Sequence, residues 1–331
     1  MRALIVTTVL ALTACATAPS PAAAPACVVS QEDRAWIDAS IGAWFFSARE
    51  ITGVATQPIE AVFFDERCVL TGANAFTAER AEGVVWSAHA HNGQITLPDG
   101  QTMPAGVTSF ASAEGGRAFF VMSTPSVWRA AGVSNDGLGL EAMMTAVLLH
   151  EATHVAQAQT FGARIGTIVE ANNLPDDFND DSIQQRFGAN AEFAASVERE
   201  TELLFQAVAA PDQATARRLA REARDLMRAR RARWFTGADA YLADAEDVWL
   251  SFEGTGQWLG YQWLVHLSGG GAEMDAALAY FARRGRWWSQ KEGAALALVV
   301  GRLADFDWMP DAFGGSDRTL TQMLDAALGP E

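Results

Sequence analysis

The chain has 331 residues, half of them hydrophobic and only 19% charged, a composition that can bury a substantial core and excludes an intrinsically disordered protein. Its formal net charge of −16 and pI near 4.7 repel phosphate backbones and anionic headgroups, which argues against nucleic acid as a partner.

Residues 1–14 read as an export signal: Arg2 supplies the positive start, Ala3 to Leu12 an apolar run too short to span a bilayer, and small residues follow. Leu12-Thr13-Ala14-Cys15 resembles the bacterial lipobox, which implies a lipid-modified Cys15 and a membrane contact through that anchor only. Residues 15–30 then form a tether whose Pro/Ala-rich part, Ala16 to Ala26, cannot make a core. With Cys15 set aside, Cys27 and Cys68 are an even pair in an exported chain and are expected to bridge, tying the start of the folded region to the first sheet.

From Gln31 to about Ile51 the apolar spacing is helical, with Trp36, Ile37, Ile41, Trp44 and Phe45 on one side. After Pro58 the period shortens to two. Ile59–Phe64, Cys68–Leu70, Val84–His89, Gln94–Leu97 and Arg117–Met122 are short β runs separated by Asn92-Gly93, Asp99-Gly100 and Gly115-Gly116. They predict a small, mostly antiparallel sheet. A helical turn is expected over Ser126 to Ala131, then a helix from about Leu138 to Thr160 that ends near Gly162. Further helices are expected near 187–209, 212–234, 242–267, 272–283, 287–304 and 317–328. The expected organisation is α+β, with an N-terminal α/β lobe over 31–162 and a mainly helical lobe over 163–331.

The helix ending near Gly162 carries His150-Glu151-Ala152-Thr153-His154. Histidines four apart share one helix face, so both imidazoles can reach one metal ion, and Glu151 beside them can reach a water on that ion. The flanking Met143, Met144, Val147, Leu148 and Leu149 imply a buried helix, in which such polar groups need partners. A catalytic zinc site takes three protein ligands, and two stretches compete to supply the third. Glu253 has Gly256, Gln257 and Gly260 on its own face, and the two glycines are small enough for close approach to the histidine helix. Glu198 and Glu202 are the alternatives. Arg217, Arg221, Arg224, Arg228 and Arg231 form one helical stripe, expected to pair with the Glu198–Glu202 face. His89 and His91 share a strand face but have no third partner in view, and are set aside.

His150 to His154 followed by Glu253-Gly254 and Trp258 resembles the HExxH and Glu-Gly helices of gluzincin-type zinc metallopeptidases, over less than half of the chain. No metzincin-type continuation follows His154. Gln257 departs from the thermolysin-like pattern, in which an aspartate at that position holds a histidine ring; Glu246 and Asp247 are the substitutes the sequence offers. The resemblance implies a zincin-like fold and one Zn²⁺ on His150, His154 and Glu253, with Glu151 as general base. It also implies Arg117 to Met122 as the cleft-edge strand that pairs with an extended substrate; for the oxyanion donor such chemistry needs beside the metal, Tyr261, eight residues past Glu253 on the same helix, is the expected residue, with His266 behind it. The expected protein is a lipid-anchored metallopeptidase of the bacterial cell envelope, facing the periplasm or exterior and acting on peptides or proteins. The alternative is a catalytically silent metal-binding or scaffold lipoprotein of the same fold.

Overall fold

Alternation along the β runs decides how the first layer is built. In β1 (Glu60–Phe64), Val62 and Phe64 point to one face of the sheet and Ala61 and Phe63 to the other. The structure, a computed structural model, describes residues 27–56, 59–72, 84–113, 117–175, 177–283 and 287–329. The export signal, Cys15 and the Pro/Ala stretch lie outside the described residues. β1 pairs antiparallel with β2 (Cys68–Gly72), which pairs antiparallel with β3 (Trp86–Ala90). A separate hairpin, β4 (Gln94–Thr96) with β5 (Thr102–Pro104), covers the Val62 and Phe64 face through Ile95 and Leu97.

The remaining strands are β6 (Ser109–Ser112) and β7 (Phe119–Ser123), giving the order β3-β2-β1-β7-β6. β7 runs parallel to β1 and antiparallel to β6. The Arg117–Met122 run therefore does not border the sheet. All of β7 is buried, as a strand covered on both faces should be, and β6 takes the edge among the described residues. Ser-Phe-Ala-Ser is too short and too polar to announce itself as a strand, so the edge lies one strand beyond the run the sequence marks.

The Ala61 and Phe63 face carries helices. α1 (Gln31–Phe46), continued by one wider turn at Ser47–Thr52, lies on α3 (Leu140–Gln157), with α2 (Pro125–Ala130) between sheet and α3 in the chain. Trp36 Nε1 donates to Thr145 Oγ1 at 3.2 Å, and Ser40 and Thr145 share a hydrogen bond at 3.0 Å. Nearly every residue of α3 is buried, so it is a central helix rather than a surface one.

After α3 come α4 (Ala163–Asn172) and α5 (Ser182–Phe187), neither announced by the sequence, then α6 (Ala191–Ala209), where a helix near 187–209 is expected. Asn190 separates α5 from α6, its side chain capping α6 by accepting from the backbone of Glu192 and Phe193 at 3.1 Å. α7 (Gln213–Trp234), α8 (Leu242–Val265), α9 (Met274–Arg283), α10 (Trp288–Leu303) and α11 (Leu320–Leu328) complete the chain. One apolar cluster runs from Ile37 and Phe63 through Leu148 to Leu296 and Leu324, and so crosses residue 162. Among the described residues no helix is long and apolar enough to cross a membrane.

α8 is held between α3 and α10 by glycines. A Cβ on Gly254 would stand 2.4 Å from the carbonyl oxygen of Gly293 in α10, and one on Gly260 would stand 3.1 Å from that of Ala146 in α3. Gly256 lies over His150 and Gly260 over Ala146, so α3 and α8 run antiparallel.

The arginine stripe faces a different neighbour from the one expected. Arg221 donates to the Leu328 carbonyl at 2.7 Å, Arg217 to that of Ala327, and Arg228 Nη2 spans both oxygens of Asp325 at 2.8 Å. Arg231 reaches Glu246 at 2.6 Å and Asp247 at 2.7 Å. The stripe thus caps the carbonyl end of α11 and pairs with α8. Toward α6 it is Arg230, off the stripe, that lies fully buried between Glu200 and Glu246. Cys27 and Cys68 are joined as a disulfide, with a Cα separation of 5.6 Å.

Candidate metal centre

His150, Glu151 and His154 are buried side by side on α3, close enough for one ion to touch a ligand atom of each. The two Nε2 atoms are 2.8 Å apart. α8 brings Glu253 against them: Oε2 lies 3.3 Å from His150 Nε2 and Oε1 3.3 Å from His154 Nε2. The close approach depends on Gly256, where a Cβ would fall 2.6 Å from His150 Nδ1. On the other side, the Phe252 ring stacks on His154 at 3.9 Å and 3°. One imidazole is fixed by an absent side chain, the other by an aromatic plate.

The electrostatics follow from burial. Desolvation opposes the charge on Glu253, but His154 and His150 overcome it and hold its carboxyl well below the usual carboxylate range. Desolvation likewise opposes a proton on His154, and the Glu253 carboxylate outweighs it and raises that imidazole. Glu151 is pushed up by burial and by Glu253, against the lowering effect of both histidines and of a hydrogen bond from Ser109. A buried carboxylate between two imidazoles demands positive charge, either a proton on a ring or a cation.

The donor set fits a divalent transition metal. Two imidazole nitrogens and a carboxylate are the ligand types of a catalytic zinc site, and they converge on one point. Glu253 Oε2 is buried and makes no hydrogen bond among the described residues, although it stands 3.3 Å from an imidazole nitrogen. A buried carboxylate oxygen in that position calls for a proton on the ring or for a cation. His150, His154 and Glu253 would hold the ion, with Glu151 beside it.

Other sequence expectations fall elsewhere. Glu198 and Glu202 are exposed on α6, and Glu202 pairs with Arg199 at 2.9 Å, so neither competes with Glu253. Tyr261 does not reach the centre: eight residues on, it stands about 12 Å further along the helix. Its ring meets Phe281 edge-on in an apolar cluster with Ala146, Leu264 and Ala277. His266 is a turn residue, its Nδ1 accepting from the Ser268 backbone at 3.1 Å and its ring against Phe46. Glu246 and Asp247 do not orient the histidines, because Arg230 and Arg231 engage them. Nδ1 of both His150 and His154 is buried without a hydrogen-bond partner among the described residues. His91 spends both nitrogens on its own turn, at Asp65 O and Gly93 N, and is no metal ligand.

Two neighbours were not visible in the sequence. Ser109 on β6 bonds to Glu151, and nothing in Thr-Ser-Phe marks it. Asp180, in the loop before α5, accepts from Ser289 Oγ at 3.2 Å; burial, Glu253 and Asp181 raise it to about 7. The acidic run at 176–181 is the one sequence signal that points to it. No family model matches the chain, and no curated protein or solved structure does either.

Proposed function

We propose that this chain is a zinc-dependent peptide hydrolase of gluzincin type, with a zincin-like arrangement of β6, α3 and α8, anchored at the bacterial cell envelope through Cys15. The observation that carries the reading is the buried convergence of His150 Nε2 and His154 Nε2, 2.8 Å apart, with the Glu253 carboxylate, one oxygen 3.3 Å from each nitrogen. A zinc ion on those three residues would supply a Lewis acid and lower the pKa of a water at its open position to about 7.

The chain's own groups account for the rest. Glu151, beside the ligands, takes a proton from the attacking water and returns it to the departing amine. Ser109 holds that carboxylate from β6. Thr108 pairs with Ser123 on β7, so the alternation of the ladder turns the backbone groups of Ser109 and Ala111 away from β7. An extended peptide adding to that edge would lie next to Glu151, which supports a peptide or protein substrate.

The test is zinc content and peptide hydrolysis of the purified protein beside Glu151→Gln and Glu253→Gln. We expect one zinc per chain in the parent and in Glu151→Gln, with hydrolysis reduced by at least about 100-fold in the latter. Glu253→Gln should lose both metal and activity. Stoichiometric zinc without hydrolysis of any peptide would identify a metal-binding scaffold instead, and activity surviving Glu151→Gln would overturn the assignment of the base.

A further inference from the structure

Beside the metal centre a small pocket opens between α5, α6, α8 and α10, with about 20 Å³ of room, enough for one water-sized group. Ile183, Val197, Trp249 and Leu250 form its apolar wall, and the half-buried Asp180 and Gln184 stand at its rim with Ser289. Glu246 and Glu292 also line it, which brings the carboxyl groups to three, and among the described residues no arginine, lysine or histidine does. Arg230 and Arg231 already engage Glu246, and burial among acidic neighbours keeps a proton on Glu292.

Asp180 is the carboxyl left over. Its Oδ2 accepts from Ser289 Oγ at 3.2 Å, and no cationic side chain pairs with it among the described residues. Burial, Glu253 and Asp181 oppose its charge, with the Ser289 hydroxyl and the His154 imidazole on the other side. The two charges of a zinc ion would be matched by Glu151 and Glu253, so Asp180 would still lack a counter-charge. The pocket adjoins the reaction centre through two helices. Leu250 precedes Glu253 by about one turn of α8, and Ser289 precedes Gly293, whose carbonyl lies against Gly254, by about one turn of α10.

We propose that Asp180 is a specificity-determining residue that receives a primary ammonium group of the peptide, in a pocket whose other acceptors are the Gln184 amide and the Ser289 hydroxyl. Size and charge both select that group. An ammonium is compact, a guanidinium is a broad plane that a water-sized pocket does not admit, and a methyl group leaves Asp180 without a counter-charge. A peptide carries a primary ammonium at its free N-terminus or on a lysine side chain. That the ammonium belongs to a peptide rests on the hydrolase reading, whereas the acceptor pocket does not.

Calorimetric titration of full-length Glu151→Gln supplied with zinc tests the pocket without turnover, and hydrolysis of the same peptides by the parent tests the reaction. Four matched alanine-based peptides serve: N-acetylated with norleucine, lysine or arginine at one position, and the norleucine peptide with its N-terminus free. At least one of the two ammonium-bearing peptides should bind more tightly than acetylated norleucine by about tenfold or more, the lower end for a hydrogen bond to a charged group. Preference for lysine marks a side-chain pocket, and preference for the free N-terminus marks an exopeptidase. The arginine peptide should gain nothing over norleucine. Asp180→Asn in the same background should erase the preference while zinc content stays at that of Glu151→Gln; Asp180→Ala takes its place should that variant fail to fold. No saturable binding of either ammonium peptide, arginine equal to lysine, or a preference that survives loss of the Asp180 carboxylate would each overturn the proposal. Ammonium selection in a parent that hydrolyses none of the peptides would sink the hydrolase reading and support the pocket; hydrolysis of all four without selection would do the reverse.

Discussion

At Gly256 a missing side chain decides where an imidazole can stand. A methyl there would fall 2.6 Å from Nδ1 and 2.9 Å from Cγ of His150, so the ring must rotate away from Glu253. Gly256→Ala is expected to weaken zinc binding by about 10-fold to 100-fold, the range for losing a group that orients a ligand, read by competition with a chromogenic chelator. Glu292 poses a second problem at this scale. It is buried beside Glu200 and Glu246, and burial with those neighbours raises it well above the ordinary glutamate range, against the pull of Arg230 and Arg231. The folded chain therefore keeps a proton that the unfolded chain releases above about pH 4.5, and this group's share of stability falls as pH rises from there toward its folded value. Glu292→Gln carries no titrating proton, so its urea midpoint should fall less than the parent's between pH 5 and pH 7. An identical slope would show that Glu292 is already ionised. The histidines, Glu151 and Glu253 were legible in the sequence because one helix period places the first three and glycine spacing marks the fourth. Ser109 and Asp180 were not, since each comes from a segment with no period and meets the site only through tertiary contacts.

Among the elements, α8 carries the most constraint. It touches α10 backbone to backbone at Gly254 and Gly293, and α3 at Gly256 and Gly260. A Cβ at Gly254 has nowhere to go but into the Gly293 carbonyl, so Gly254→Ala is expected to destabilise the protein by about 1–3 kcal/mol or more in urea unfolding. Gly260→Ala meets the Ala146 oxygen at 3.1 Å and should cost less. A charged contact braces the same helix from the other side. Arg230→Met would leave Glu200 and Glu246 buried without their shared partner, a loss of about 3–5 kcal/mol. Long helices were readable from their apolar spacing, whereas β5, β6 and α4 were too short or too polar to register. The arginine stripe was visible as a stripe, but the sequence gives no direction for its partner. The α11 carbonyls that receive it belong to every helix end and carry no residue signature.

For the whole molecule, the disulfide closes a 41-residue loop from the first described residue to β2, holding the start of α1 against the sheet. On the chain-entropy account a loop of that length is worth about 4 kcal/mol, so Cys27→Ser should lower the unfolding free energy by up to about that amount. The core does not divide at residue 162, which places the sheet and the later helices in one apolar body. That continuity has an effect on assembly in time. Gln157 and Thr255, which join the end of α3 to α8 by a buried hydrogen bond, are 98 positions apart in the chain. An emerging polypeptide that has produced both histidines and Glu151 still lacks Glu253, and on the proposed reading cannot hold an ion on all three ligands until α8 has been made and has docked. Resistance to chelators would then serve as a maturation clock, switching on only in molecules whose second half has arrived.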